Sequence, residues 1–225
     1  MEFHADILET FPGICVAEGD IKSVRITRNS PNLDAMKQEI IQQIKSRYTL
    51  EQVKDDPLFR AYRDFFWSVG VDPTKTRPAS EALVRRILSG GKLPVINTAV
   101  DAYNLASAGS SIPIGAFDSD TLNGDLTMRF AAEGEVFLGI GMEKPVLLRK
   151  NQVILADPGE IIAVYPYRDS DATKVTTETK NIHIVACGVP GVERELVLGG
   201  YSLCAGYLEK YAGGIASEKE ILPRE

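Results

Sequence analysis

The chain has 225 residues, 44% of them hydrophobic and 8% aromatic, which is ample for a packed core and points to a globular protein. Its formal net charge of −6 at pH 7 excludes tight, purely electrostatic nucleic-acid binding, because backbone affinity comes from neutralising phosphates with Lys and Arg. No stretch approaches the roughly 20 apolar residues of a membrane span, and Glu2, His4, Asp6 and Glu9 interrupt any apolar leader, so a soluble cytoplasmic protein is expected.

Residues 1–30 alternate short apolar runs with polar ones. Ile14 to Ala17 after Pro12-Gly13, then Ile21, Val24 and Ile26, predict two early strands or a hairpin. From Asn32, the residues Leu33, Met36, Ile40, Ile41 and Ile44 keep helical spacing and predict a surface helix with a solvated polar face. Asp56-Pro57 reads as an N-cap followed by a first-turn proline, ahead of the stripe Leu58, Tyr62, Phe65, Phe66 and Val69 that Gly70 ends. This aromatic-rich helix is expected to be core, with Trp67 at its end; a platform on which bases stack is the alternative.

Pro78 stands just inside a run whose apolar positions Leu83, Val84, Ile87 and Leu88 recur at helical spacing, so a helix is predicted from near Arg77 to Ala79 until the Gly90-Gly91 stop. Glu81 in its first turn and Arg85 and Arg86 in its last half suit the helix dipole. Lys75, Arg77, Arg85 and Arg86 form the best basic patch and are the candidate RNA-binding residues. The competing reading is a set of exposed helix cations with partners such as Glu81. After Pro94, Asn97 or Thr98 is able to cap a second helix over about Ala99 to Ser107. Asp101 and Asn104, three apart, then share a polar face, and with Asn97 they form a candidate pocket beside a Gly and Pro turn. A cap and a solvated helix face explain the same letters.

Beyond Asp118 the pattern turns extended. Asn123-Gly124 predicts a hairpin turn into a half-buried strand over 125–130. Short runs around Val136 to Leu138, Val146 to Leu148 and Val153 to Leu155 suggest a sheet built of hairpins. Asp157-Pro158-Gly159-Glu160 predicts a tight turn before the run Ile161 to Tyr165, and Arg168 to Asn181 reads as an exposed, mobile loop before a strand over Ile182 to Cys187. From Glu193 a weaker helical pattern is interrupted by Gly199-Gly200, and the final ten residues are expected to be loosely held. Cys15, Cys187 and Cys204 are odd in number, far apart and without metal-ligand spacing, so buried reduced thiols are expected. His4 is expected to be flexible and His183 a satisfied structural histidine. With no phosphate loop, no Ser-His-Asp order and no metal signature, no cofactor or metal is expected. Without repeats or a linker, the economical reading is one α+β domain over residues 1–215 with a polar tail over 216–225.

Three segments carry a resemblance. IPIGAFDSDTLNGDLTMRFAAEGE (Ile112 to Glu135), VILADPGEIIAVYPYRDSDATKV (Val153 to Val175) and TTETKNIHIVACGVPGV (Thr176 to Val192) resemble the B3/B4 domain of the phenylalanyl-tRNA synthetase β subunit, in the same order and at similar separations. The stretch VDPTKTRPASEALVRRI is similar to free-standing proteins that carry this domain alone. The resemblance implies β/β/α layering and, in the synthetase, an editing pocket that hydrolyses wrongly attached tyrosine from tRNA. Asn97, Asp118, Arg129, Gly134 and Glu135 match their motif positions. Gly115, however, stands where the bacterial domain has His, and Val185 where it has Glu.

The candidate pocket set is therefore Asn97, Asp101, Asn104, Gly115, Asp118 and Arg129, with the catalytic residues unassigned. Editing hydrolysis needs a placed water and donors for the oxyanion rather than a covalent nucleophile. Asn97, Thr98, Asp101, Asn104 and Thr176 to Thr179 are able to supply such groups. No ATP-binding or adenylation motif is recognisable, so a complete ligase is not expected. Three functions follow from the resemblance. One is a module that binds tRNA or aminoacyl-tRNA. Another is an aminoacyl-tRNA deacylase that edits in trans. The last, favoured by the acidic balance, is an amino-acid or other small-molecule binder that kept the pocket and lost the RNA.

Overall fold

Backbone ladders gather the chain into two five-stranded sheets, and helices cover the outer face of one of them, which gives an α+β fold in β/β/α layers. The computed structural model describes residues 1–224. The strands are β1 (Glu2–Phe3), β2 (Cys15–Lys22), β3 (Ile114–Asp118), β4 (Thr127–Phe130), β5 (Val136–Phe137), β6 (Val146–Leu147), β7 (Val153–Ala156), β8 (Ile161–Val164), β9 (Arg168–Asp169), β10 (Ile182–Gly188), β11 (Ile215–Ala216) and β12 (Glu220–Leu222). The helices are α1 (Ala5–Thr10), α2 (Pro31–Arg47), α3 (Pro57–Ser68), α4 (Ala79–Leu88), α5 (Thr98–Ser110) and α6 (Arg194–Ala212). One sheet runs β1-β4-β7-β8-β9 and the other β11-β2-β10-β3, with β12 also on β2; β5 and β6 form a separate ribbon.

β10 is apolar along most of its length because it is covered on both faces. Alternation sends Ile182, Ile184 and Ala186 to one side and His183, Val185 and Cys187 to the other. α6 packs across β2 and β10, and α5 packs between α6, α2 and α4. α6 passes through Gly199-Gly200 without the expected interruption. Its buried stripe Val197, Tyr201, Cys204 and Leu208 is unbroken, and a Cβ on Gly200 would stand 3.0 Å from that of Ile112, so the glycine serves close approach rather than a break.

α3 begins as predicted: the Asp56 carboxylate accepts from the Leu58 amide at 2.9 Å, and Pro57 opens the first turn. Its aromatic stripe closes one end of the sandwich. Phe65 meets Phe11 and Tyr165 with ring centroids 5.0 and 6.1 Å apart, and the Tyr62 hydroxyl donates to the Cys187 carbonyl at 2.6 Å. Burying each such ring stabilises the fold by roughly 1.5–3 kcal/mol. Trp67 is no part of this packing and is 55% exposed.

Several expectations are corrected. The start of the chain holds β1, α1 and β2; the runs at Ile14 to Ala17 and Ile21 belong to the one strand β2 rather than to two, and Val24 is buried in irregular chain whose amide bonds to the Lys180 carbonyl. Asn123-Gly124 makes no hairpin, because β3 and β4 lie in different sheets; Asp157 instead accepts from the Asn123 amide at 2.8 Å. The stretch after Tyr167 is no exposed loop: it contains β9, buries Ser170, Thr173 and Thr179, and ties Thr179 to Asp118 at 2.6 Å. Within the polar tail β12 pairs with β2 and Leu222 is buried against the core, while Glu225 lies outside the described residues. Among the described residues, no helix is long and apolar enough to cross a membrane.

Candidate functional site

A cavity of about 190 Å³ opens where the two sheets meet α5. β3 contributes Gly115 and Phe117, β10 contributes Val185 and Cys187, α5 contributes Tyr103 and Asn104, and β9 contributes Arg168 and Asp169. Leu155 and Val164 of the other sheet complete an apolar wall. Antiparallel register sets Gly115 directly opposite Val185, so the floor lacks a polar side chain at both positions. A Cβ on Gly115 would stand 3.2 Å from Asp169 Oδ1 and 3.1 Å from Phe117 Cζ. The carboxyl of Asp169 thus reaches over the space that glycine leaves.

Electrostatics at this point are unusual. Burial among apolar walls pushes the Asp169 carboxyl up to about 7, against the Ala116 amide and the Arg168 charge, which favour ionisation. The Arg168 guanidinium is directed elsewhere, donating to the Ile140 carbonyl at 3.0 Å. Burial, and secondarily the charge of Asp169, holds the Tyr103 hydroxyl and the Cys187 thiol in their neutral forms. Cys187 Sγ lies 3.7 Å from the Val185 carbonyl and is a packing thiol rather than a nucleophile. The three cysteines are all free and buried.

Of the six candidate pocket residues, Asn104 and Gly115 line this cavity. Asn97 caps α5, accepting from the Ala99 and Val100 amides at 3.1 and 2.9 Å. Asp101 is buried outside the cavity, where it accepts from Lys37 Nζ at 3.2 Å and from the Ile96 amide at 3.0 Å. Asp118 accepts from Thr179 and from the Asp120 amide, and Arg129 grips Glu135 through two bonds of 2.9 and 2.7 Å. The basic patch divides likewise. Glu81, fully buried, binds Arg85 Nε at 2.6 Å and Arg63 at 3.1 Å, whereas Arg77 and Arg86 line a shallow depression and Lys75 is exposed. His183 is bracketed by Asp20 at 2.9 Å and Glu18 at 3.3 Å on a neighbouring strand.

Sequence reasoning passed over Tyr103, Arg168 and Asp169. Tyr103 reads as the apolar side of its helix. Asp169 carries no periodic signal: Tyr165 to Tyr167 form the turn between β8 and β9, and β9 is two residues long.

Residues 61–199 match the family model of the B3/4 domain. The phenylalanine-tRNA ligase beta subunit of Fusobacterium nucleatum is 29% identical over 147 residues, which is 65% of this chain and 18% of that subunit. Its counterpart from Cutibacterium acnes is 31% identical over 105 residues, 47% and 12% of the two chains. An N-terminal fragment of the phenylalanyl-tRNA synthetase beta subunit from Pyrococcus horikoshii shares the fold, with a TM-score of 0.53 at 15% identity over 99% of this chain and 54% of the fragment. The chain therefore spans less than a fifth of those ligase subunits and about half of the fragment. Because the family match runs from α3 into α6 and takes in every wall of the cavity, the chain belongs to the B3/4 domain family.

Proposed function

We propose that this B3/4 protein binds the aminoacyl end of a charged tRNA, with the amino-acid side chain entering the cavity between the sheets. The observation that carries the reading is the cavity's make-up. Its walls are apolar, and the Tyr103 hydroxyl and Asn104 amide engage no other group among the described residues. An apolar slot with a few placed polar groups is what recognition of a small ligand requires. A cavity of about 150 Å³ holds benzene, so 190 Å³ suits an aromatic or large aliphatic side chain. The tRNA comes to this reading from the phenylalanine-tRNA ligase relatives. Lys75, Arg77 and Arg86 are the groups for its phosphates, in a cytoplasmic setting that suits three free thiols.

The test is gel-shift binding of charged and uncharged tRNA at low salt, with charged tRNA expected to bind more tightly. Binding of neither would sink the reading. Deacylation of a mixed aminoacyl-tRNA pool, run alongside, separates a binding module from a hydrolase acting in trans. A second reading, an amino-acid binder without RNA, is favoured by the net charge of −6 and by the hold of Glu81 on Arg85. It predicts thermal stabilisation by amino-acid derivatives with no shift of charged tRNA.

A further inference from the structure

We propose that the Asp169 carboxylate is the receptor for a protonated amine, so that the cavity selects ligands that carry an ammonium group beside an apolar side chain. The inference deepens the reading of the cavity as an aminoacyl site and rests on it for the identity of the natural ligand.

Three observations carry it. First, Asp169 is placed over the glycine: Oδ1 stands 3.2 Å from where a Cβ on Gly115 would be, so a larger residue there would require the carboxyl to shift. Second, it has no ion-pair partner among the described residues, since the neighbouring Arg168 guanidinium is bonded to the Ile140 carbonyl at 3.0 Å. Third, apart from the Arg168 charge, which only partly offsets the burial, the groups that face it are uncharged: Tyr103 from α5 and Cys187 from β10 are held neutral, and the Ala116 amide of β3 is a dipole. A carboxylate desolvated in this way lacks a cation paired directly with it. Its elevated pKa, about 7, reflects that lack. An incoming ammonium supplies the missing charge, forms a charge-assisted hydrogen bond and displaces the carboxyl proton to solvent. Phe117, Leu155, Val164 and Val185 then receive the apolar part of the same ligand.

The experiment compares 2-phenylethylamine with 2-phenylethanol, a neutral ligand of the same size, by calorimetric and NMR titration of the full chain and of Asp169→Asn. The amine is expected to bind at least about tenfold more tightly than the alcohol at pH 8, with the gap narrowing severalfold at pH 6 and closing in Asp169→Asn. Proton release on amine binding is read from the dependence of the heat on the buffer. Equal affinity for the two ligands, a gap that survives in Asp169→Asn, or binding of neither would overturn the proposal. Should Asp169→Asn fold poorly, the pH dependence of the wild-type gap decides by itself. Charged-tRNA binding is measured separately: amine selectivity without tRNA binding keeps this inference and removes tRNA, whereas tRNA binding without amine selectivity does the reverse.

Discussion

Lys37→Met tests whether the buried ion pair between α2 and α5 is what holds Asp101 in place. Lys37 Nζ lies 3.2 Å from Asp101 Oδ2, and the side chains are 9% and 4% exposed. At an effective dielectric of 20 the attraction across that distance is about 5 kcal/mol, and desolvation of both charges offsets much of it. Asp34, 4.0 Å from the same ammonium and well exposed, adds little. Losing the lysine leaves the carboxylate with the Ile96 amide, 3.0 Å away, as its remaining donor. Stranding a buried charge in this way destabilises by about 3–4 kcal/mol, which for a domain of this size lowers Tm by roughly 6–16 °C. Far-UV circular dichroism is the assay, because the exposed Trp67 reports poorly on folding. The double variant Lys37→Met, Asp101→Leu should recover most of the loss, and ligand affinity should be unchanged in both, since neither residue lines the cavity. A loss below about 1 kcal/mol in the single variant would mean that water already reaches the pair, and the reasoning would be refuted.

Burial alone would depress the His183 pKa, but Asp20 and Glu18 hold it up at about 9. The folded value exceeds the unfolded one of about 6.5, so this stabilisation is complete below pH 6.5 and is lost as pH rises towards 9. Between pH 6.5 and 8, below the range in which thiols titrate, wild-type stability should decline relative to His183→Gln by no more than about 1.4 kcal/mol per pH unit; parallel curves would contradict it. At Gly188 an added methyl would lie 2.6 Å from Cys15 Sγ and 2.7 Å from Val197 Cγ2. Gly188→Ala should therefore cost about 1–3 kcal/mol by chemical denaturation, partly restored by Val197→Ala. Arg85→Ala should lower Tm by removing the 2.6 Å bond to Glu81, whereas Arg77→Ala with Arg86→Ala should leave Tm alone and weaken tRNA binding with a shallower salt dependence. The opposite pattern would reverse those assignments.

What is legible in the sequence is what is local. Asp56 caps a helix whose amide lies two residues on, and Asn97 does the same for α5, so the letters carry the whole interaction. The Asp101 partner is 64 residues away on a helix that reads as a solvated surface, and no local spacing announces it. Asn123-Gly124 has the letters of a hairpin turn, but Asp157, 34 residues on, takes its amide and the chain crosses between sheets instead. Asp169 lies on a strand of two residues, too short for alternation to register, among polar letters that suit a loop equally well. The Gly115 and Val185 departures are visible in the sequence; that the Asp169 carboxyl stands over Gly115 is a fact of packing alone.

The cavity lies on a seam between two sheets, each stitched by its own ladder. Substituting one wall residue, Phe117 or Val185 on one side, Leu155 or Val164 on the other, changes the shape of the slot while every backbone ladder stays intact. Inherited change in the shape of the slot can thus accumulate from the inside outward, one side chain at a time, in lineages whose architecture stays the same.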